Sequence, residues 1–315
     1  MIIGIPRETL PGEGRVAGIP SAVRALRALG HAVLIEQDAG VRSGFGDDEY
    51  IRAGAEIVPT AEELVDRAEL VWKVLGPSEH EHTLLHGGQR LVALLPIPVV
   101  LPEGVIAHDG LAWPGRQSEF PVRVAMSEIA GRLAVEAASH SLQQPNGGRG
   151  LLLGGVPGVP PAEVVVLGAG VAGRGATDLA LALGARVTVL DISVPALRAV
   201  RTTALVATPS AIERAIAVAD VVIAAVRVPG ERAPRLCQRA HLALMAPGAI
   251  VVDLAIAEGG AFETTRLTTL ADPARLIDGI VHIGVPNFPG AVPRTSSVAL
   301  SHAWLDFVVT IASES

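Results

Sequence analysis

The chain has 315 residues, half of them hydrophobic and 18% charged, which suits about two folded domains and excludes a disordered chain. Net charge is −7 with no Lys/Arg-rich run, so neither nucleic acid nor an anionic membrane surface is expected as a partner. The single cysteine, Cys237, cannot close an internal disulfide, no apolar run has the length and composition of a membrane span, and the start, a strand-length apolar run and then charges, is unlike a signal peptide, so a cytoplasmic protein is expected.

In chain order, the apolar runs Ile2–Ile5, Val33–Ile35, Leu70–Leu75 and Leu91–Leu95 read as buried strands. Between them, 21–29 places Val23, Leu26 and Leu29 at helical spacing and stops at Gly30. Thr60 with Glu63 forms a capping box for a helix over 61–68. Strands alternating with helices predict a parallel, doubly wound sheet. A long helix follows from Met126 to Leu142, with Ser127 as its N-cap, and then a Gly/Pro-rich connector. The runs 164–167, 187–190, 220–226, 249–255 and 279–285 supply a second set of strands, and a last helix covers about 296–312. The fold class expected is α/β with two doubly wound domains. The first is discontinuous, 1–125 plus 288–315, and the central one covers 126–287.

The strongest chemical signal is "VVVLGAGVAGRGATDLALALGARVTVLD", from Val164 to Asp191. A strand runs into Gly168-Ala169-Gly170-Val171-x-Gly173, a helix follows, and the next strand ends in an acid. In such a unit the first glycine makes the tight turn, the second lets backbone approach a pyrophosphate, and the third allows helix and strand to pack closely. The helix N-terminus then offers unpaired N–H groups to the anion. Asp191 can accept from a ribose 2′-hydroxyl and repels a 2′-phosphate, so NAD is expected rather than NADP. The whole βαβ unit and its acid are in register, which makes the motif specific. No His/Cys cluster has metal-ligand spacing, so no metal is expected.

Stretches across nearly the whole chain resemble the alanine dehydrogenase family and the related NAD-binding domain of pyridine nucleotide transhydrogenase. They include IGIPRET, GEGRVAGIP, SGFGDDEYIRAGAEIV, MSEIAGRLAVEAASH, PNGGRGLLLGGVPGVPPAEVVVLGAG, VVDLAIAEGG and VPNFPGAVPRTSS. The resemblance implies a substrate domain built from both chain ends, a Rossmann domain, NAD, a small carboxylate substrate and a homo-oligomer. The implied activity is reversible oxidative deamination of a small amino acid to a 2-keto acid. For the cofactor it implies Ser127, Gly168, Ala169, Gly170, Val171, Gly173, Asp191, Val226 (through its backbone) and Asn287.

Its catalytic set carries over only in part. Arg15, in GEGRVA, matches the arginine that holds a substrate carboxylate, a role suited to a guanidinium fork. The lysine position of the family holds Leu75, with Lys73 one pleat away on the same strand face and a candidate substitute. The histidine position holds Pro96 and the aspartate position Ala257, beside Glu258. His80, His82, His86 and His108 read as solvated loop histidines, and Trp72, Trp113 and His282 as packing residues. Three lost polar groups beside an intact glycine loop imply retained cofactor use with altered chemistry. The expected function is an NAD(H)-dependent oxidoreductase on an amino or imino acid other than alanine. A non-catalytic NAD-binding protein, or a lyase or cyclodeaminase that recycles its NAD, remains an alternative.

Overall fold

The computed structural model describes residues 1–95, 100–109, 121–228 and 231–314, and Pro96 and Trp113 lie outside them. The chain divides into two compact units, Met1–Met126 with Gly290–Ser315, and Ser127–Pro289.

The first unit carries β1 (Ile2–Ile5), β2 (Ala32–Glu36), β3 (Glu56–Val58), β4 (Leu70–Leu75), β5 (Arg90–Leu94) and β6 (Ile106–Asp109). They form one sheet in the order β3-β2-β1-β4-β5-β6, parallel throughout. Apolar runs form these strands because both faces are covered. On one face Ile3, Ile5, Val33, Ile35 and Trp72 meet Leu300, Trp304 and Phe307 of the helix Pro293–Ser313. The Trp72 and Trp304 rings meet edge to face at 6.3 Å, which gives Trp72 the packing role its sequence suggests. On the other face Val71, Leu91 and Ala93 meet Leu64 of the helix Ala61–Arg67, whose cap is the Thr60 hydroxyl accepting from the Glu63 amide at 3.3 Å.

The second unit carries β7 (Glu163–Leu167), β8 (Arg186–Asp191), β9 (Thr203–Val206), β10 (Val221–Ala224), β11 (Ile250–Asp253), β12 (Ala274–Ile277) and β13 (Ile280–Ile283). The order is β12-β13-β11-β10-β7-β8-β9, parallel except for β12 against β13. Valine and isoleucine fill β7, β10 and β11, whose residues are buried apart from the half-buried Glu163. Each sheet therefore reverses its winding at one place, between β1 and β4 in the first and between β7 and β10 in the second. Ligands of open α/β sheets bind at the carboxyl ends of strands at such points.

Several elements differ from the sequence reading. The long helix runs Pro121–Ser141, so Ser127 lies in its second turn and is not an N-cap. His80 and His82 lie on a short helix, Glu79–Leu84, capped by Ser78 and Glu81, and not in a loop. His108 lies on β6, its ring 6.3 Å from that of Phe307. No helix among the described residues is long and apolar enough to cross a membrane.

Candidate functional sites at the two switch points

In the second unit the chain leaves β7 at Gly168, turns, and enters the helix Val171–Ala182 with Gly170 as N-cap. Each glycine has a distinct physical reason. Gly168 has φ +105°, which a side chain disfavours, and a Cβ there would overlap the Ala225 carbonyl oxygen and crowd Val226. At Gly173 a Cβ would overlap the Gly168 carbonyl oxygen, so only glycine lets the helix close on the strand. At Gly170 a Cβ would meet nothing within 4 Å. Packing does not require a glycine there; an open approach to backbone N–H groups does. That is the cradle a pyrophosphate needs, and the residues present fit a dinucleotide.

Asp191 ends β8 beside this turn. One carboxylate oxygen accepts the Ala169 amide at 2.6 Å and the other the Ser193 amide at 2.7 Å, which fixes the carboxylate at the loop. Val226 follows β10, the strand beside β7, and its side chain flanks Gly168. Asn287 follows β13 and is half-buried. The helix carrying Ser127 crosses the glycine-loop helix closely: a Cβ on Gly131 would overlap the Ala172 carbonyl, and one on Gly175 would stand 3.0 Å from the Glu128 carbonyl. The sheet thus brings Gly168, Val226 and Asp191 to one edge, and the crossing helix brings the Ser127–Glu128 turn to the same loop.

Beyond β11, Ala257 is exposed on a short turn, Ile256–Glu258. Asp253, which the sequence reading passed over, holds that turn. Its buried carboxylate accepts the amides of Ala255 (3.1 Å), Ala261 (2.9 Å) and Phe262 (3.2 Å), while burial pushes its carboxyl up. Glu258 turns toward Arg227, with 3.5 Å between carboxylate and guanidinium. His282 is a buried strand residue bonded to the Thr265 hydroxyl at 2.9 Å, and burial lowers its imidazole to about 4.

In the first unit a cavity of about 530 Å³ opens at the carboxyl ends of β1 and β2, lined by residues that include Arg7, Glu8, Glu13, Arg15, Asp38 and Arg42. Arg15 is buried, unlike a surface arginine after a glycine turn. Glu13, also buried, accepts from Arg15 Nε at 2.7 Å and from Nη2. Arg15 Nη1 lies 3.6 Å from the Met126 sulfur, and a thioether is a weak acceptor. One edge of the fork is therefore oriented by Glu13, and the other meets a group that an anion would readily replace.

Lys73 is buried on β4. Its ammonium donates to Glu81 at 2.5 Å and stands 3.9 Å from Glu8. Glu8 in turn accepts the Val74 amide at 2.6 Å. Burial pushes the Glu8 carboxyl up to about 7 against the lowering field of Lys73; Glu81, also desolvated, ends below its ordinary value because Lys73 bonds it directly. Sequence reasoning missed Glu8, Glu13 and Glu81. The S-x-x-E spacing of Ser78 and Glu81 is a helix-start signal that the sequence reading did not take up, and nothing local marks Glu81's partner.

Family models match most of the chain: "Alanine dehydrogenase/PNT, N-terminal domain" over residues 4–99 and "Alanine dehydrogenase/PNT, C-terminal domain" over 134–315. The alanine dehydrogenase of Halomonas elongata is 43% identical over 100% of this chain and 88% of its own length. That of Mycolicibacterium smegmatis is 40% identical over the same shares. Among solved structures, an L-alanine dehydrogenase superposes with TM-score 0.94 at 40% identity, covering 99% of this chain and 90% of the other. A transhydrogenase from Sinorhizobium meliloti does so with TM-score 0.86 at 29% identity, covering 99% and 94%. The chain belongs to the alanine dehydrogenase/PNT family and is an NAD-dependent oxidoreductase of it.

Proposed function

We propose that this protein interconverts a 2-amino acid and the corresponding 2-keto acid, by way of the imine, on a substrate with a larger or more apolar side chain than alanine. The unit from both chain ends takes the substrate and the central unit takes NAD. Gly168, Ala169, Gly170 and Val171 receive the pyrophosphate, Gly173 lets the helix close behind it, and Asp191 receives the adenosine ribose. Val226, Ser127 and Asn287 border the rest of the dinucleotide. The nicotinamide, when bound, accepts or supplies the hydride. Arg15, oriented by Glu13, holds the substrate carboxylate on its Met126-facing edge.

The observation that carries the altered specificity is the fate of the lysine. Leu75 stands at the family position, and the ammonium of Lys73 is spent on Glu81 at 2.5 Å inside the protein. Lys73 therefore serves the site through its carboxylates and does not grip substrate itself. With Ala257 at the aspartate position as well, two positions that are polar in the family pattern carry apolar side chains here. The acidic net charge and the buried lone thiol Cys237 support a small-molecule enzyme of the cytoplasm, and the family supports a homo-oligomer.

The test is calorimetric titration with NAD and then NADH, with the absorbance of reduced nicotinamide followed over a panel of amino acids, and of 2-keto acids with ammonia. The expected result is binding of both cofactors and turnover, with a branched or longer aliphatic amino acid faster than alanine. Alanine as the best substrate overturns the specificity. Binding without any absorbance change points to a non-catalytic or NAD-recycling protein, and no binding removes the cofactor site.

A further inference from the structure

The charges around the first cavity pair off unevenly. Arg15 is held by Glu13, Arg7 lies 3.7 Å from Glu36, and Lys73 is bonded to Glu81. Among the buried charges Glu8 remains: it lines the cavity beside Arg15, is 6% exposed, and among the described residues its nearest cation is 3.9 Å away and already bonded to another carboxylate. Two buried carboxylates thus share one ammonium, an arrangement that favours holding one proton on the pair. Glu8 lies shortly after β1, on the carboxyl side of the switch point.

We propose that Glu8 is the proton-exchanging residue of the substrate cavity, filling the place left by the missing lysine and histidine, with Lys73 and Glu81 setting its charge. This rests on the amino-acid oxidation proposed above. The step balances. The Cα–H electron pair leaves as hydride to NAD⁺, giving NADH; the C=N bond forms; and one N–H proton of the amine moves to the Glu8 carboxylate. Reduction runs the same transfers backwards. The acid's carboxylate stays on Arg15, so its nitrogen is presented within the cavity that Glu8 also lines.

The groups facing Glu8 act in both directions. Burial, Glu81 and Glu13 favour its protonated form, and Lys73 with the Val74 amide favours the carboxylate; the balance near 7 suits exchange at neutral pH.

Glu8→Gln tests this, because the amide oxygen can still accept from Val74 and the side-chain volume is kept. With the fastest amino acid of the panel, E8Q should lower kcat about a hundredfold or more with KM changed less than about threefold. The limb of the kcat/KM profile near neutrality should vanish, and NAD affinity should stay within about twofold. An infrared pH titration should show a carboxyl band titrating near neutrality in the wild type and missing from E8Q. Should E8Q fail to fold, that wild-type band decides: its absence overturns the proposal. Undiminished kcat in folded E8Q overturns it too, as does a loss confined to KM. A wild type inactive on the whole panel overturns the proposed function instead, which keeps the two failures apart.

Discussion

At the carboxyl end of β7 the chain strips side chains away; at the carboxyl end of β1 it crowds charged ones in. Gly168 and Gly173 are glycines because a Cβ has no room, and Gly170 is glycine although it has room. Around β1, by contrast, Glu8, Glu13, Arg15, Lys73 and Glu81 are all buried. One site is made of backbone, where an added Cβ obstructs either the packing or the approach of a ligand; the other is made of paired charges, where losing the shared cation strands buried carboxylates.

The largest effect is expected from Lys73→Met. It leaves Glu8 and Glu81 buried without their shared cation, and removing one partner of a buried ionic cluster costs about 3–5 kcal/mol. Denaturant unfolding at mildly alkaline pH measures it, and a loss below about 1 kcal/mol would mean the cluster is far wetter than its burial indicates.

Next in size is a pH dependence of stability. Glu8 rises in the folded protein from an ordinary 4.5 to about 7. A raised carboxyl contributes stability that is fully present below its unfolded value and disappears as pH climbs through the folded one. Between pH 4.5 and 7 it should therefore withdraw roughly 3 kcal/mol as pH rises. Glu81, shifted the other way, loses its contribution on acidification instead. E8Q should flatten the fall, matching the wild type near pH 5 and exceeding it near pH 8. Parallel stability curves for the two proteins would contradict this.

The glycines break differently from one another. Gly173→Ala forces the helix off the Gly168 carbonyl, costing about 1–3 kcal/mol and lowering the affinity for NAD. Gly170→Ala should cost only the preference of an N-cap for glycine over alanine, about 1 kcal/mol or less, while weakening NAD about tenfold or more, since its Cβ occupies only the space a ligand needs. Equal losses of stability in both variants would show that Gly170 also serves packing.

The same contrast decides what could be read from the sequence. The glycine loop was legible because its residues act through local spacing: turn, approach and packing follow from offsets of two and five positions. The charge cluster was not legible, because Glu8, Lys73 and Glu81 meet only once β4 is laid beside β1 and the helix Glu79–Leu84 is folded back. Arg15 was found through resemblance, but not the Glu13 that holds it. Central strands were read from their apolar runs. The edge strands β3, β6 and β9 and the antiparallel β12 were missed because so much of them faces solvent and so little apolar pattern remains; all four residues of β9 are exposed.

Asp191→Asn is the smallest expected effect and the finest test of the backbone site, since it changes charge with little change in shape. Both carboxylate oxygens accept from backbone, the amides of Ala169 and Ser193. An asparagine can satisfy one and must turn an NH2 toward the other. The loop should therefore loosen slightly and NAD affinity fall about tenfold, or roughly 1.4 kcal/mol. A 2′-phosphate, however, no longer meets a negative charge, so NADP should weaken less than NAD or gain outright. Calorimetry with both cofactors separates the two contributions. A ratio that narrows about tenfold means the charge of Asp191 sets the cofactor choice. If both affinities fall together, Asp191 matters through the amides it anchors, and even the site of bare backbone depends on one fixed charge at its edge.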